Sequence, residues 1–228
     1  MRNTISDISH QLKTPLAALN IYNGILQGEA ENLPTIKEFA DLSEQELERI
    51  ETLVQNLLKI SKFDAGTIVM ERKTENISEM IERIKKSFRF RAGQEEKEII
   101  LSGDESTDFV CDRNWLMEAV INIVKNALDH TEKGGFVWIE WKMSASSLQI
   151  AIKDNGTGIH PEDLYYIFKR FYRSRYSKDT QGIGLGLSLA KSIIEAHEGS
   201  ISVDSEIGVG TAFYINFSSS LKTIPTKL

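Results

Sequence analysis

The first 66 residues carry a hydrophobic pattern that differs from the rest of the chain. Apolar or small residues recur at alternating spacings of three and four, which is typical of helices that pack along a coiled-coil seam. A polar turn at Gln27–Pro34 interrupts the pattern, and the two apolar runs on either side of it predict two antiparallel helices. The seam positions are Ile5, Ile8, Leu12, Pro15, Leu19, Tyr22 and Leu26 before the turn, and Ala40, Ser43, Leu47, Ile50, Val54 and Leu57 after it.

A single helical hairpin with one apolar stripe on each helix buries those stripes poorly. Two such hairpins make a four-helix bundle, and the pattern therefore predicts a homodimer. The alternative is a hairpin that packs on the second domain of its own chain.

Beyond Gly66 the pattern mixes short alternating segments with amphipathic ones. Regular strand–helix–strand alternation is missing, which favours an α+β fold with helices on one face of a sheet. We therefore expect two domains, residues 1–66 and 67–228. The predicted strands are 67–72, 99–101, 109–111, 136–143, 148–153, 200–203 and 211–217, and the predicted helices are 77–90, 115–128 and 185–196.

Composition narrows the class of protein. The 228 residues are 41% hydrophobic, with a formal net charge of −6, and an acidic chain does not suit a general nucleic-acid binder. No apolar stretch approaches the roughly 20 residues that a membrane helix needs. The single cysteine, Cys111, excludes an internal disulfide and a zinc site built from clustered cysteines. These features predict a globular cytosolic protein.

The first helix carries one candidate nucleophile, His10. It lies off the seam, so its side chain should project outward, and a neutral imidazole has a free lone pair at cytosolic pH. Pro15 cannot donate to the carbonyl of Gln11, which should loosen the helix beside the histidine. Taken alone, an exposed histidine without a function is the simpler interpretation.

The helix predicted at 115–128 holds two asparagines, Asn122 and Asn126. Asparagine is a poor residue for a helix interior, and residues four apart share a helix face. Amide oxygens can ligate Mg²⁺, which keeps its waters and substrate phosphates as further ligands. The alternative is a pair of surface asparagines.

Two glycine clusters flank predicted elements, one after a strand and one before a helix. Asp154 ends a strand before Gly156 and Gly158, where it can accept a hydrogen bond from an exocyclic amine. The cluster Gly182, Gly184 and Gly186 stands directly before a helix, and such a backbone can cradle an anion. It follows a loop instead of a strand, so it is not the dinucleotide-binding fingerprint. A third cluster, at 208–211, is by itself only a turn.

A segment of about twenty residues separates the first two glycine clusters, which is long for a connection and favours a functional lid. Phe168, Phe171 and Tyr172 could anchor it. Basic residues without intervening acids favour phosphate contacts, and a solvated charged loop is the alternative. The basic residues are Lys169, Arg170, Arg173, Arg175 and Lys178.

The ordered set of motifs resembles the catalytic half of bacterial sensor histidine kinases of two-component systems, over nearly the whole chain. Residues 9–16 resemble the phosphoacceptor box and 57–66 the end of the second dimerisation helix. Residues 122–131 are similar to the asparagine box and 168–173 to the phenylalanine box, while the clusters at Asp154 and Gly182 are similar to the two main glycine boxes. The resemblance implies a Bergerat-type α/β sandwich for the second domain, as in the gyrase, mismatch-repair and chaperone ATPases.

Functional roles follow from this resemblance. His10 would accept the γ-phosphoryl group of ATP, Asn126 would ligate Mg²⁺, and Asn122 would lie beside the phosphates. Asp154 would bind the adenine amino group, supported by Thr211 through water, and His130 takes the place of an aromatic residue that packs on adenine. The pocket and the lid hinges would be shaped by Gly156, Gly158, Gly182, Gly184 and Gly186, with Arg173 reaching the phosphates.

Two positions depart from the family pattern. The residue after the histidine is commonly acidic, and Gln11 cannot act as a base, so we expect slower autophosphorylation. Gln11 and Thr14 could still position a water that dephosphorylates the partner. Asp129 stands where many relatives carry a basic residue, so that phosphate contact would be missing or come from Lys125 or the lid.

The resemblance also implies partners and a location. The expected partners are a second copy of the chain and the receiver domain of a response regulator, to whose aspartate the phosphoryl group passes; no nucleic-acid partner is expected. The chain would be a cytoplasmic fragment of a parent anchored in the bacterial inner membrane through an N-terminal sensor region.

Two other function classes remain as alternatives. One is a nucleotide-binding scaffold or phosphatase-biased core with weak kinase activity, which Gln11 favours. The other is a clamping ATPase, which would need a transducer domain after the ATPase half.

Overall fold

The computed structural model describes residues 16–17, 19–28, 34–174 and 184–218. The chain divides into two compact units, Met1–Ile68 and Val69–Leu228, and each is described by itself. The predicted acceptor residues His10, Gln11 and Thr14 lie outside the described residues, as does Gly182.

The described part of the first unit forms two helices. Helix α1 covers residues 16–17 and 19–28, and helix α2 covers Pro34–Asp64. Helix α2 ends in a turn where Gly66 adopts a positive φ of 60° and its N–H donates to the carbonyl of Phe63 at 2.9 Å. Glycine tolerates this left-handed conformation, which is a common way to stop a helix.

The two helices contact each other along heptad positions. Leu16 packs with Leu47 and Val54, and Ala40 is buried on the same stripe of α2. Asn23 is also buried, and its side-chain amide donates to the carbonyl of Ala40 at 2.7 Å. A buried asparagine satisfied in this way fixes the register of two helices.

The predicted seam residues of α1 that the structure describes do not form the contact within the hairpin. Leu19, Tyr22 and Leu26 are at least 50% exposed, because the buried stripe of α1 runs through Leu16 and Asn23 instead. These three seam residues of α1 therefore face outward from the single hairpin, whereas the predicted seam residues Ala40, Leu47 and Val54 of α2 are buried.

The second unit is a sheet covered by helices. Its main sheet has the order β2-β4-β5-β7-β6, in which β2 and β4 are parallel and the other pairs antiparallel, while β1 pairs with β3 separately. The elements are β1 (Lys73–Asn76), α3 (Ile77–Gln94), β2 (Glu98–Ser102), β3 (Asp108–Cys111), α4 (Arg113–His130), β4 (Phe136–Met143), β5 (Ser147–Asp154), α5 (Gly186–Ala196), β6 (Gly199–Glu206) and β7 (Gly210–Ser218).

Alternating burial along the strands defines the core. In β7, Phe213, Ile215 and Phe217 are buried while the residues between them are partly exposed. The period of two places one face of the sheet against the apolar sides of α3, α4 and α5. Helices on one face of a mixed sheet match the predicted α+β architecture.

Side-chain caps set the starts of two helices. Asp112 Oδ1 accepts from the backbone N–H groups of Asn114 and Trp115 at the start of α4, and Asn76 accepts from Glu79 N–H at the start of α3. No side chain among the described residues caps α5, which begins at Gly186 directly after a glycine-rich turn.

The predicted strand at 67–72 is wrong. This segment has no regular structure, and the strand β1 begins at Lys73. Side chains hold the segment instead: Glu71 N–H donates to Asp112 Oδ2 at 2.9 Å, and Arg72 donates to the Ala196 carbonyl at 2.8 Å. The other predicted elements of this unit are confirmed, with bounds that differ by up to four residues.

Within the described ranges, no helix combines the length and the hydropathy that a bilayer-spanning segment requires.

Candidate functional site

Helix α4 presents a line of three polar side chains. Asn122, Asn126 and His130 are spaced four apart, so they lie on one face, and all three are partly buried. The Asn122 side-chain amide donates to the Glu118 carbonyl at 2.9 Å, which explains how an asparagine is accommodated inside the helix. A Cβ added at Gly186 would lie 3.0 Å from Asn122 Oδ1, so the start of α5 closely approaches this face.

Asp154 ends strand β5 and is 7% exposed. Its Oδ1 accepts from the backbone N–H of Gly156 at 2.9 Å and of Thr211 at 3.2 Å. Burial raises the pKa of this carboxyl, and the two backbone hydrogen bonds oppose that shift. Both bonds from described residues use Oδ1, which leaves Oδ2 as the acceptor for a ligand amine.

Three glycines bring separate loops together around Asp154. A Cβ would lie 2.2 Å from the His130 carbonyl oxygen at Gly156, 2.1 Å from the Glu206 oxygen at Gly158, and 2.0 Å from the Asp154 oxygen at Gly210. Since no side chain fits at such distances, these positions require glycine. They join the end of α4, the end of β5 and the β6–β7 turn into one cradle.

Thr211 is held by a serine that the sequence motifs did not reveal. Ser205 Oγ lies 3.0 Å from Thr211 Oγ1, donates to the Gly210 carbonyl at 2.9 Å and accepts from Ile159 N–H at 2.9 Å. Ser205 is paired with Thr211 across β6 and β7. Only the strand register discloses this contact, because Ser205 belongs to no motif.

The loop before α5 is tied back to the segment that follows β5. Phe171 N–H donates to the Gly184 carbonyl at 2.9 Å. Gly184 adopts a positive φ of 73°, and a Cβ added there would lie 2.5 Å from the backbone carbonyl oxygen of Tyr172. Arg173 comes directly after Tyr172 in the chain and is exposed. The structure thus places Gly184 beside the aromatic segment and Gly186 beside Asn122.

The residues fit a purine nucleotide with a hard cation. A buried carboxylate oxygen suits an exocyclic amine, the glycine cradle excludes side chains, and the amide oxygen of Asn126 suits Mg²⁺. Among the described residues no group of three or more histidine, cysteine or acidic side chains could hold a metal by itself. Asp129 is engaged elsewhere, since its Oδ1 accepts from Arg91 of α3 at 2.6 Å.

Comparison with known families decides the identity. Residues 1–66 match the His Kinase A (phospho-acceptor) domain, and residues 111–220 match the histidine kinase-, DNA gyrase B- and HSP90-like ATPase family. The chain belongs to the sensor histidine kinases. It is a protein-histidine kinase catalytic core, so the predicted family and enzyme class are confirmed.

Individual relatives and solved structures agree with this family assignment. The kinase core is 32% identical over 217 residues to the sensor protein SrrB of Staphylococcus aureus strain MRSA252, a match that covers 94% of this chain and 37% of that relative. Full-length ShkA in complex with AMPPNP superposes with a TM-score of 0.82 at 21% identity, over 95% of this chain and 45% of that one. ThkA in complex with the response regulator protein TrrA gives a TM-score of 0.68 at 22% identity, over 93% and 60%.

These likenesses confirm the predicted fold class: a helical N-terminal part followed by an α/β ATP-binding domain. The kinase core spans little more than a third of the length of the curated relatives it matches. The roles assigned to single residues stay predictions, and so does the domain boundary after residue 66.

Proposed function

We propose that the kinase core transfers the γ-phosphoryl group of ATP to His10 and then to an aspartate on a response-regulator receiver domain. The observation that carries this proposal is the cradle around Asp154, where a buried carboxylate, three obligatory glycines and the polar face of α4 converge. ATP binding at this site agrees with the match to the ATPase family.

The adenine would be recognised at the buried end of the site. Asp154 Oδ2 accepts from the exocyclic amine, while Oδ1 is held by Gly156 and Thr211. The Thr211 hydroxyl, fixed by Ser205, orients a water toward the same base edge. His130 is partly buried at the end of α4, where its ring can pack on the adenine. A carboxylate already oriented by backbone donors loses little freedom on binding.

The triphosphate would lie toward the start of α5. The N-terminus of α5, which no described side chain caps, would offer backbone N–H groups to an anion, and Asn122 lies beside it. Gly184 would let the backbone approach the phosphates, as the motif predicts for Gly182 as well, and Arg173 would add a positive charge. Bound to Asn126, Mg²⁺ would neutralise phosphate charge during transfer.

His10 would act as the nucleophile. Its neutral imidazole nitrogen attacks the γ-phosphorus in line, so that a nitrogen–phosphorus bond forms as the bond to the ADP oxygen breaks. Gln11 cannot remove a proton, but a neutral imidazole already carries the lone pair it needs. Gln11 and Thr14 would orient a water that hydrolyses the partner's acyl phosphate.

The kinase core would act as a homodimer. Large apolar side chains on both helices of the first unit are exposed in the single chain, and a second hairpin can cover them in a four-helix bundle. They are Leu19, Ile21, Tyr22, Ile25, Leu26, Ile36, Phe39, Leu42 and Ile50.

The parent protein would add a sensor. SrrB is named a sensor protein, and the kinase core corresponds to 37% of it. We propose for the parent an N-terminal sensor region anchored in the bacterial inner membrane, with the kinase core in the cytoplasm. ThkA was solved together with a response regulator, which supports a receiver domain as the partner.

Phosphopeptide mapping tests the acceptor. After incubation with ATP and Mg²⁺, the phosphoryl group should be found on the peptide that contains His10, be lost in acid and persist in base. The His10→Gln variant should carry none while still binding ATP. A phosphoryl group on any other residue would contradict the proposal.

Gln11 favours a second candidate, a phosphatase-biased core with weak kinase activity. Replacement by glutamate discriminates between the two: Gln11→Glu should speed autophosphorylation if the missing acid limits the reaction. An unchanged slow rate, together with rapid dephosphorylation of a phosphorylated receiver domain, would favour the second candidate.

A further inference from the structure

The segment between β5 and α5 contains a buried acid in exposed surroundings. Asp163 is 4% exposed, whereas Glu162 and Tyr165 close to it are exposed. Burying a carboxylate costs free energy unless hydrogen bonds compensate, so a buried acid on a surface turn calls for a purpose.

The side chain of Asp163 holds a residue nine positions later. Tyr172 Oη donates to Asp163 Oδ1 at 2.6 Å, a short hydrogen bond of the kind that charged acceptors form. The Asp163 backbone carbonyl accepts from the N–H groups of Tyr166 and Ile167, and the Tyr166 ring lies 5.5 Å from that of Tyr172. Asp163 thus organises the turn and fixes the tyrosine at its end.

Tyr172 is also held from the side of α5. The preceding Phe171 adopts a positive φ of 60°, a conformation that is strained for a non-glycine residue and persists only where neighbours enforce it. Its N–H is bonded to the Gly184 carbonyl, and Gly184 has room for no side chain against Tyr172. Tyr172 is therefore fixed between Asp163 and the turn that leads into α5.

We propose that Asp163 is a positioning residue that acts through Tyr172 to hold Arg173 in register with the N-terminus of α5. The inference rests on the proposed function, because Arg173 meets the phosphates only if ATP binds as described there. In this proposal Asp163 acts only through Tyr172 and makes no contact of its own with the nucleotide. Its loss should weaken binding of the triphosphate and leave recognition of the base intact.

A double-mutant cycle tests this coupling. Displacement of a fluorescent ATP analogue gives the affinities of unlabelled ATP and adenosine for wild type, Tyr172→Phe, Arg173→Ala and the double variant. Tyr172→Phe should lower ATP affinity about fivefold to tenfold, as expected for one lost hydrogen bond, with adenosine affinity unchanged. In the Arg173→Ala background the same change should have no further effect, because the tyrosine acts through the arginine.

Conservative and matched variants distinguish a role of Asp163 in positioning Arg173 from a general loss of structure. Asp163→Ala should reproduce Tyr172→Phe, and Asp163→Asn should recover most of the affinity because its amide oxygen still accepts from Tyr172. Tyr165→Phe, on an exposed tyrosine of the same segment, should behave as wild type. Each variant is compared by its melting temperature, so an unfolded protein is recognised as such.

Equal losses of ATP and adenosine affinity, or additive losses in the double variant, would overturn the proposal. The cycle measures binding alone, so it can succeed even if wild type fails to autophosphorylate. Such a failure would count against the proposed kinase function and leave the positioning of Arg173 standing.

Discussion

The two units of the kinase core place their apolar side chains in opposite ways. In the ATP-binding unit most large apolar residues of the main sheet and of the covering helices are buried: Phe213, Leu116 and Ile139 have no exposed surface, and Phe90 near the end of α3 is an exception. In the helical hairpin many large residues point outward, and Phe39 and Ile21 are more than 60% exposed. Two regions of one chain thus differ in whether their hydrophobic core is complete.

The difference has a thermodynamic consequence. A unit with a complete core has a stability that does not depend on protein concentration, whereas a unit completed by a second copy becomes more stable as concentration rises. The ATP-binding unit should therefore bind nucleotide as an independent body. The hairpin should gain its stability from the dimer.

The largest effect is expected from filling the glycine cradle of the ATP-binding unit. Gly158→Ala places a Cβ 2.1 Å from the Glu206 carbonyl oxygen at a φ of 71°, so both sterics and backbone strain oppose folding. We expect a loss of about 4 kcal/mol in the free energy of unfolding of this unit and no measurable ATP binding. Chemical denaturation followed by tryptophan fluorescence measures it.

Gly208→Ala is the matched control. Gly208 has a φ of 77°, but an added Cβ would meet nothing within 4 Å, so only the conformational cost of about 1 kcal/mol applies. Similar losses for the two variants would contradict the close packing of the cradle.

An intermediate effect is expected when a charge is placed on the exposed hairpin surface. Phe39→Glu should raise the dimer dissociation constant about 100-fold, since a glutamate in the bundle core loses both apolar burial and solvation. The affinity of the ATP-binding unit for ATP should stay unchanged. Sedimentation at several concentrations measures the dimer constant.

Val69→Glu provides the control for this surface, because Val69 is also exposed but belongs to the other unit. It should leave dimerisation intact. An unaltered dimer in Phe39→Glu would mean that the exposed apolar residues of the hairpin serve some other contact.

The smallest effect concerns pH and a buried histidine of the ATP-binding unit. Burial, helped by the positive charge of Arg72, lowers the pKa of His197, although its bond to the Ile193 carbonyl and the nearby Asp112 act in the opposite direction. Its Nε2 accepts from Asp112 N–H at 3.1 Å, which requires the neutral ring. Because the unfolded state binds the proton more readily, stability should be lost as the pH falls below about 6.5.

Melting temperatures of the ATP-binding unit between pH 7.5 and pH 5.5 measure this dependence. His197→Gln cannot be protonated, so its melting temperature should fall less over the same interval. A parallel fall in both proteins would assign the pH dependence to other groups.

Strand periodicity located most of the ATP-binding unit from sequence. Strand β4 has the bounds that the alternation predicts, because its side chains are buried on one face only. The prediction failed at 67–72, where Asp112 and the Ala196 carbonyl bind an irregular segment that sequence periodicity cannot distinguish from a strand.

Site residues were predictable where a motif contains them. Asp154, Asn122 and the glycines stand in motifs, whereas Ser205 acquires its contact from a strand pairing and Asp163 from a tyrosine nine positions later. The buried stripe of α1 was displaced from the predicted seam for a related reason. An apolar stripe in the sequence does not reveal whether it contacts the neighbouring helix or a second copy of the chain.

The most direct test of the account is whether ATP bound in the cradle around Asp154 is the donor of the phosphoryl group. Incorporation of label from γ-³²P-ATP with Mg²⁺ is measured for wild type, Asp154→Asn, Asn126→Ala and, as a control on an exposed acid of β6, Asp204→Asn. The account predicts acid-labile label in wild type and Asp204→Asn and a loss of at least about 100-fold in the other two. Undiminished labelling of Asp154→Asn and Asn126→Ala would contradict it.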